Sequence, residues 1–116
     1  MALRILIVDD ESLIRRSLER VFIDKGHIVK TAEDGVKGLT MWREMTPDIV
    51  FLDVLMPGLT GPQVISERGP GHKSKVILMS AYSGTEPEKF GVQYDLFLPK
   101  PFEDIFKLVE IAEGLI

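Results

Sequence analysis

Five apolar runs, Arg4–Val8, His27–Ala32, Asp48–Asp53, Lys75–Ser80 and Asp95–Lys100, alternate with stretches of helical periodicity along the whole chain. Arg4–Val8 and Asp48–Asp53, the continuous β-branched and leucine runs, read as strands buried on both faces. Alternated with helices they imply βαβ units, and therefore an α/β fold: a doubly wound, five-stranded parallel sheet with helices on both faces. In such sheets ligands sit beyond the carboxyl ends of the strands, where strand order reverses. The chemically capable side chains stand at those ends: Asp9 and Asp10 after the first run, Asp53 closing the third, Ser80 the fourth and Lys100 the fifth.

Between the strands, Ser12 is placed to cap a helix in which Leu13, Ser17, Leu18, Val21 and Phe22 share one face, and Lys25-Gly26 supplies a cationic last turn and a left-handed stop. Gly35 to Met45 reads as a second helix, and Ile105, Leu108, Val109 and Ala112 mark a closing one. The third and fourth helices are shortened. "PQVISERGPGHKSK" allows at most two turns before Gly69-Pro70-Gly71, and "GTEPEKFGVQ" about one turn among Gly84, Pro87 and Gly91. Pro62 suits the first position of the third helix. Trp42 and the methionines are assigned to packing, and His27 and His72, which lack metal-ligand spacing, to solvent.

A chain of 116 residues fits one domain over positions 1–116. With no cysteine it has neither a disulfide framework nor a thiolate metal site. A net charge of −4 without a basic stripe argues against direct nucleic-acid binding by this domain. The opening "MALRILIVDD" holds too short an apolar run for a signal segment or a membrane span, so a soluble, cytoplasmic protein is expected.

An acidic pair after a strand is, taken alone, more often a helix cap with a solvated neighbour than a site. Asp53, Ser80 and Lys100 at matching strand ends reverse that balance. Three carboxylates converging in a crevice call for a hard divalent cation, Mg2+ by default with Mn2+ as a substitute. A lysine and a hydroxyl beside it supply what the oxygens of a transferring phosphoryl group require. With no cysteine, no well-placed histidine and no glycine-rich cradle, a carboxylate is the group best able to accept the phosphoryl group, and Asp53, the lone acid on the central strand, is the candidate nucleophile.

The acidic pair Asp9-Asp10, Asp53 with "MPGLTG" at Met56–Gly61, "SA" at Ser80-Ala81 and "KPF" at Lys100–Phe102 occur in order. In these motifs the whole chain resembles a receiver domain of the response regulators of two-component signalling, a CheY-like domain. The resemblance implies a flavodoxin-like strand order 2-1-3-4-5 and a phospho-acceptor switch rather than a turnover enzyme. It implies that Asp53 is phosphorylated by a sensor histidine kinase or a histidine phosphotransfer protein. Asp10, Asp53 and the backbone carbonyl of Leu55 would ligate Mg2+, with Asp9 acting mostly through water. Ser80 would hydrogen-bond the phosphoryl group, Lys100 would pair with it, and Phe97 would swing inward as Ser80 moves. A cis bond before Pro101 would aim Lys100 into the site, and Leu55 and Tyr82 would border the path of attacking water. The output would be a domain after Ile116 or a separate effector.

Three other classes fit less well. A magnesium-dependent aspartyl phosphatase wants a general acid two residues after its nucleophile, where Leu55 stands. A pseudo-receiver acting only as a binding module would lack one of the core residues, and none is missing. Flavodoxin-like cofactor binding lacks its phosphate loop after the first strand.

Overall fold

Successive side chains of a strand point to opposite faces of a sheet, so a run that is apolar throughout feeds two cores at once. The computed structural model, which describes residues 2–81 and 91–116, shows this arrangement. β1 (Arg4–Val8), β2 (Ile28–Ala32), β3 (Ile49–Asp53), β4 (Lys75–Ser80) and β5 (Leu96–Pro99) form one parallel sheet in the order β2-β1-β3-β4-β5. On one face Leu6, Val8, Val50, Leu52, Val76 and Leu78 pack against Leu39, Trp42 and Met45 of α2 (Gly35–Met45) and Val64 and Ile65 of α3 (Gly61–Arg68). On the other, Ile5, Ile7, Ile49, Phe51, Ile77 and Met79 pack against Leu18 and Phe22 of α1 (Ser12–Asp24) and Leu108, Val109 and Ala112 of α4 (Ile105–Gly114). Each such fully buried aliphatic or aromatic side chain contributes roughly 1.5–3 kcal/mol. Among the described residues no helix is long and apolar enough to cross a membrane.

The chain runs from β1 outward to β2 and then returns to β3 on the other side of β1, so strand order reverses between β1 and β3. The register carries that reversal to the side chains. Val8 lies opposite both Ala32 and Leu52, so Asp9 and Asp53 leave the sheet side by side. Asp53 lies opposite Met79, and Ser80 opposite Pro99, which brings Lys100 out one step beyond Ser80.

Most expected elements appear within a residue of their expected ends. Asp48 and Asp95 fall just outside β3 and β5 because their carboxylates turn back to accept backbone N–H groups, from Arg4 at 2.8 Å and Val76 at 2.7 Å. The short α3 is closed by Gly69 and opened by a capping box in which Thr60 and Gln63 bond each other's backbone N–H. Pro62 occupies its second position, because Gly61 takes the first. The expected fourth helix falls largely on positions 82–90, outside the described residues.

Several local expectations are corrected. Ser12 is the first helical residue of α1, and Glu11 holds the N-cap position without a side-chain cap bond. Leu13 is 73% exposed, and Ile14 faces the core in its place. His27 is not solvated but buried: its Nδ1 accepts the Leu3 N–H at 3.0 Å, which leaves the ring proton on Nε2 facing Glu113 Oε2 at 2.8 Å. His72 is half-buried, its ring 5.0 Å from that of Trp42.

Candidate functional site

Asp9, at the end of β1, is wholly buried. Its Oδ1 accepts the Glu11 N–H at 2.9 Å, its Oδ2 accepts Lys100 Nζ at 2.6 Å, and its backbone carbonyl accepts the Arg15 guanidinium at 2.7 Å. Both side-chain oxygens are therefore engaged, while Asp10 beside it is exposed. Asp53 is buried at the end of β3, with Lys100 Nζ 3.5 Å from its Oδ1. Its position is set from behind by the Val54 N–H bonded to the Met79 carbonyl at 2.8 Å. The start of α3 closes in on it so tightly that a Cβ at Gly61 would lie 2.5 Å from the Asp53 carbonyl oxygen, which only glycine avoids.

Lys100 reaches this cluster from the far side of the sheet. Its N–H bonds the Ser80 carbonyl at 2.8 Å, the bond that follows it, to Pro101, is cis, and its side chain is almost fully buried. Its ammonium also contacts Glu11 Oε1 at 3.1 Å. Ser80 is buried beside Lys100 at the end of β4, and Phe97 on β5 packs half-buried against the α2–α3 core. Leu55, two residues beyond Asp53, is exposed. Tyr82 lies outside the described residues.

The electrostatics of the crevice are unbalanced. Among the described residues Asp9, Asp10, Glu11 and Asp53 each offer an oxygen within 4.8 Å of the others, and the one ammonium in contact with them, that of Lys100, reaches three. Burial, then the charge of Asp9, pushes the Asp53 carboxyl up to about 7, and Lys100 offsets only part of this. Burial raises Asp9 as well, against the bond from Lys100. Burial by itself would lower Lys100, but its bond to Asp9 and the charge of Asp53 outweigh that and raise it. Carboxylates held so close that one keeps its proton near neutrality fit a hard divalent cation bound through oxygen.

The register thus brings together Asp9, Asp10, Asp53 and Lys100, with Ser80 at the adjoining strand end. Glu11 and Arg15 belong to the same cluster and were not singled out from sequence. Glu11 follows the acidic pair directly, but its partner Lys100 is 89 positions away and only the topology joins them.

A family model described as the response regulator receiver domain matches residues 5–113. The response regulator MprA of Mycobacterium tuberculosis is 38% identical over 105 residues, 88% of this chain and 46% of that protein. MprA of Mycobacterium ulcerans is 37% identical over the same length, 45% of that protein. The chain therefore spans about half the length of the curated relatives it matches. Among solved structures, a CheY-like receiver domain protein from Methanospirillum hungatei superposes with a TM-score of 0.87 at 24% identity, covering 99% of this chain and 94% of that one, a likeness of fold. NtrX from Brucella abortus superposes with a TM-score of 0.84 at 31% identity over 98% of this chain and 27% of that one.

Proposed function

The chain belongs to the response regulator receiver domain family, and on that premise we propose that it is a cytoplasmic phospho-acceptor switch, a single receiver unit over residues 1–116, in which Asp53 is the acceptor. Receiver domains act as phosphorylation switches in two-component signalling and bind Mg2+ at an acidic pocket. The donor here is the phosphohistidine of a sensor histidine kinase or histidine phosphotransfer protein. Its P–N bond breaks as a P–O bond to Asp53 forms, and the imidazole leaves with the bonding pair.

This chain's own residues divide the work. Asp53 presents its carboxylate in line with the donor, Lys100 neutralises the oxygens of the arriving group, and the Ser80 hydroxyl donates to one of them. Asp10, Asp53 and the Leu55 carbonyl would hold Mg2+, or Mn2+, with Asp9 reaching it through water. When bound, the metal supplies positive charge to the phosphoryl oxygens. Movement of Ser80 lets Phe97 turn inward, which passes the change to an output domain or a separate effector.

The observation that carries this reading is Asp53 itself: a buried carboxylate, 3.5 Å from a buried lysine and within 4.8 Å of three further acids. Incubation with an acyl phosphate and Mg2+, followed by intact mass measurement, should show one phosphoryl adduct on the parent and none on Asp53→Asn. An adduct that persists in Asp53→Asn would move the acceptor elsewhere. Asp10→Ala should lose metal binding. Leu55 and Tyr82 offer no group that orients water well, so the adduct should be long-lived. Leu55→Asn with Tyr82→Glu should speed its loss about tenfold, and equal decay rates would show that these positions do not gate water.

A further inference from the structure

Lys100 has three N–H donors, and among the described residues three carboxylates surround its nitrogen: Asp9 at 2.6 Å, Glu11 at 3.1 Å and Asp53 at 3.5 Å. They differ in what it costs to release the ammonium. Asp9 is wholly buried, and without Lys100 it would be an uncompensated interior charge. Asp53 is the group the proposed reaction modifies. Glu11 is 57% exposed, so water can replace the ammonium there at little cost. Glu11 also holds the N-cap position of α1 without capping it, so its carboxylate is turned from the helix start to Lys100.

We propose that Glu11 is a positioning residue: it keeps one N–H of Lys100 toward the solvent side of the crevice in the unmodified protein and yields it to the phosphoryl group, thereby setting the speed at which Asp53 is charged. The inference rests on Asp53 being the acceptor. With an acyl phosphate as donor, the P–O bond to the acyl oxygen breaks, a P–O bond to Asp53 forms, and the acyl carboxylate departs with the bonding pair. The phosphoryl oxygens then need an N–H from Lys100. The bond to Asp9 cannot be spared, so the N–H on Glu11 is the one transferred. Losing the competitor should therefore hasten charging.

The test is the rate of adduct formation by intact mass, with an acyl phosphate and Mg2+, in the parent, Glu11→Ala and Glu11→Gln. Glu11→Ala should charge roughly two- to fivefold faster, the size expected for an exposed ion pair, and Glu11→Gln, which keeps an acceptor oxygen, by less. The gain should vanish in a Lys100→Ala background, an outcome that neither repulsion of an anionic donor by Glu11 nor a merely structural role at the start of α1 would produce. An unchanged or slower rate in Glu11→Ala overturns the inference. So does a Gln variant as fast as the Ala variant, or a gain that persists without Lys100. A parent that takes no adduct overturns the acceptor reading itself, whereas a parent that charges normally beside an indistinguishable Glu11→Ala overturns only the role of Glu11.

Discussion

At the amino end of the sheet most buried polar groups have partners of their own, whereas at the carboxyl end three carboxylates, Asp9, Glu11 and Asp53, share the Lys100 ammonium. Trp42 donates its indole N–H to Ser74 Oγ at 2.9 Å, and the Ser74 hydroxyl in turn donates to the Pro47 carbonyl at 2.6 Å. His27 divides its ring nitrogens between Leu3 and Glu113, and Asp48 and Asp95 each take a backbone N–H. Among the described residues the one buried side-chain nitrogen or oxygen left without a partner, Arg68 Nε, belongs to this same end, where the guanidinium lies over the Trp42 ring. The same strands supply both ends, so burial alone does not distinguish structural from functional polar groups. The balance of charge does: buried groups paired one to one stabilise the fold, and a cluster of carboxylates in excess of the ammonium beside it is set up to bind a cation.

The largest expected effect lies at the satisfied end. Trp42 is fully buried, and Trp42→Ala leaves both a cavity and a Ser74 hydroxyl without its donor, at a cost of about 3–5 kcal/mol measured by urea unfolding. Under conditions where the variant is folded, its rate of phosphoryl uptake should match that of the parent. A large loss of uptake would mean that the two ends are not independent.

At the crevice the sign of the effect inverts. The Asp53 carboxyl stands at about 7 in the folded protein against an ordinary 3.8, so between those values the folded state holds a proton that the unfolded chain has lost. Its contribution to stability is fully present below the unfolded value and is lost as pH rises through the folded one. Without metal, the parent should lose roughly 2–4 kcal/mol between pH 4 and pH 8 from this group. Asp53→Asn should flatten that decline and be more stable than the parent at pH 8, and Mg2+ should restore the parent there. Thermal unfolding across that range decides it. An Asn variant no more stable than the metal-free parent at pH 8 would show that the carboxylates are not in conflict.

His27 stands at the opposite, paired end of the sheet. His27→Ala leaves the Leu3 N–H without its acceptor and Glu113 without its donor, so stability should fall by about 1–3 kcal/mol, with charging of Asp53 unaffected. Amide exchange at Leu3 would report the loss directly, and an unchanged exchange rate would mean that the bond contributes nothing.

What was legible in the sequence follows the same division. The parallel sheet and the crevice are legible because a βαβ fold sends each strand's last residue to one edge, so position along a run stands in for position in space, whereas the strand order came only with the resemblance to receiver domains. Asp9, Asp53, Ser80 and Lys100 needed nothing more. Partners that depend on packing were not accessible. The burial of His27 goes with an acceptor, Glu113, that lies 86 positions away, and Glu11 joins the crevice through Lys100, 89 positions away. Leu13 and Ile14 are adjacent apolar residues at the first turn of α1, and only the packing against the sheet decides which of them turns inward.

The smallest expected effect falls where the two ends meet. Thr60 caps α3, whose first residue, Gly61, presses against the Asp53 carbonyl, so the cap could act either on the helix alone or on the acceptor. Loss of an N-cap hydroxyl costs about 1 kcal/mol, and Thr60→Ala should lower stability by that amount. Its rate of charging should nevertheless stay within about twofold of the parent, a barrier change of about 0.4 kcal/mol. The reason is that Asp53 is held by the sheet: Leu52 and Asp53 sit in register with Leu78 and Met79, and the Val54 N–H is bonded to Met79 at 2.8 Å. Fraying the first turn of α3 leaves those bonds in place. Unfolding and charging measured on the same preparation separate the alternatives, and a slowing well beyond twofold would make α3 part of the acceptor site.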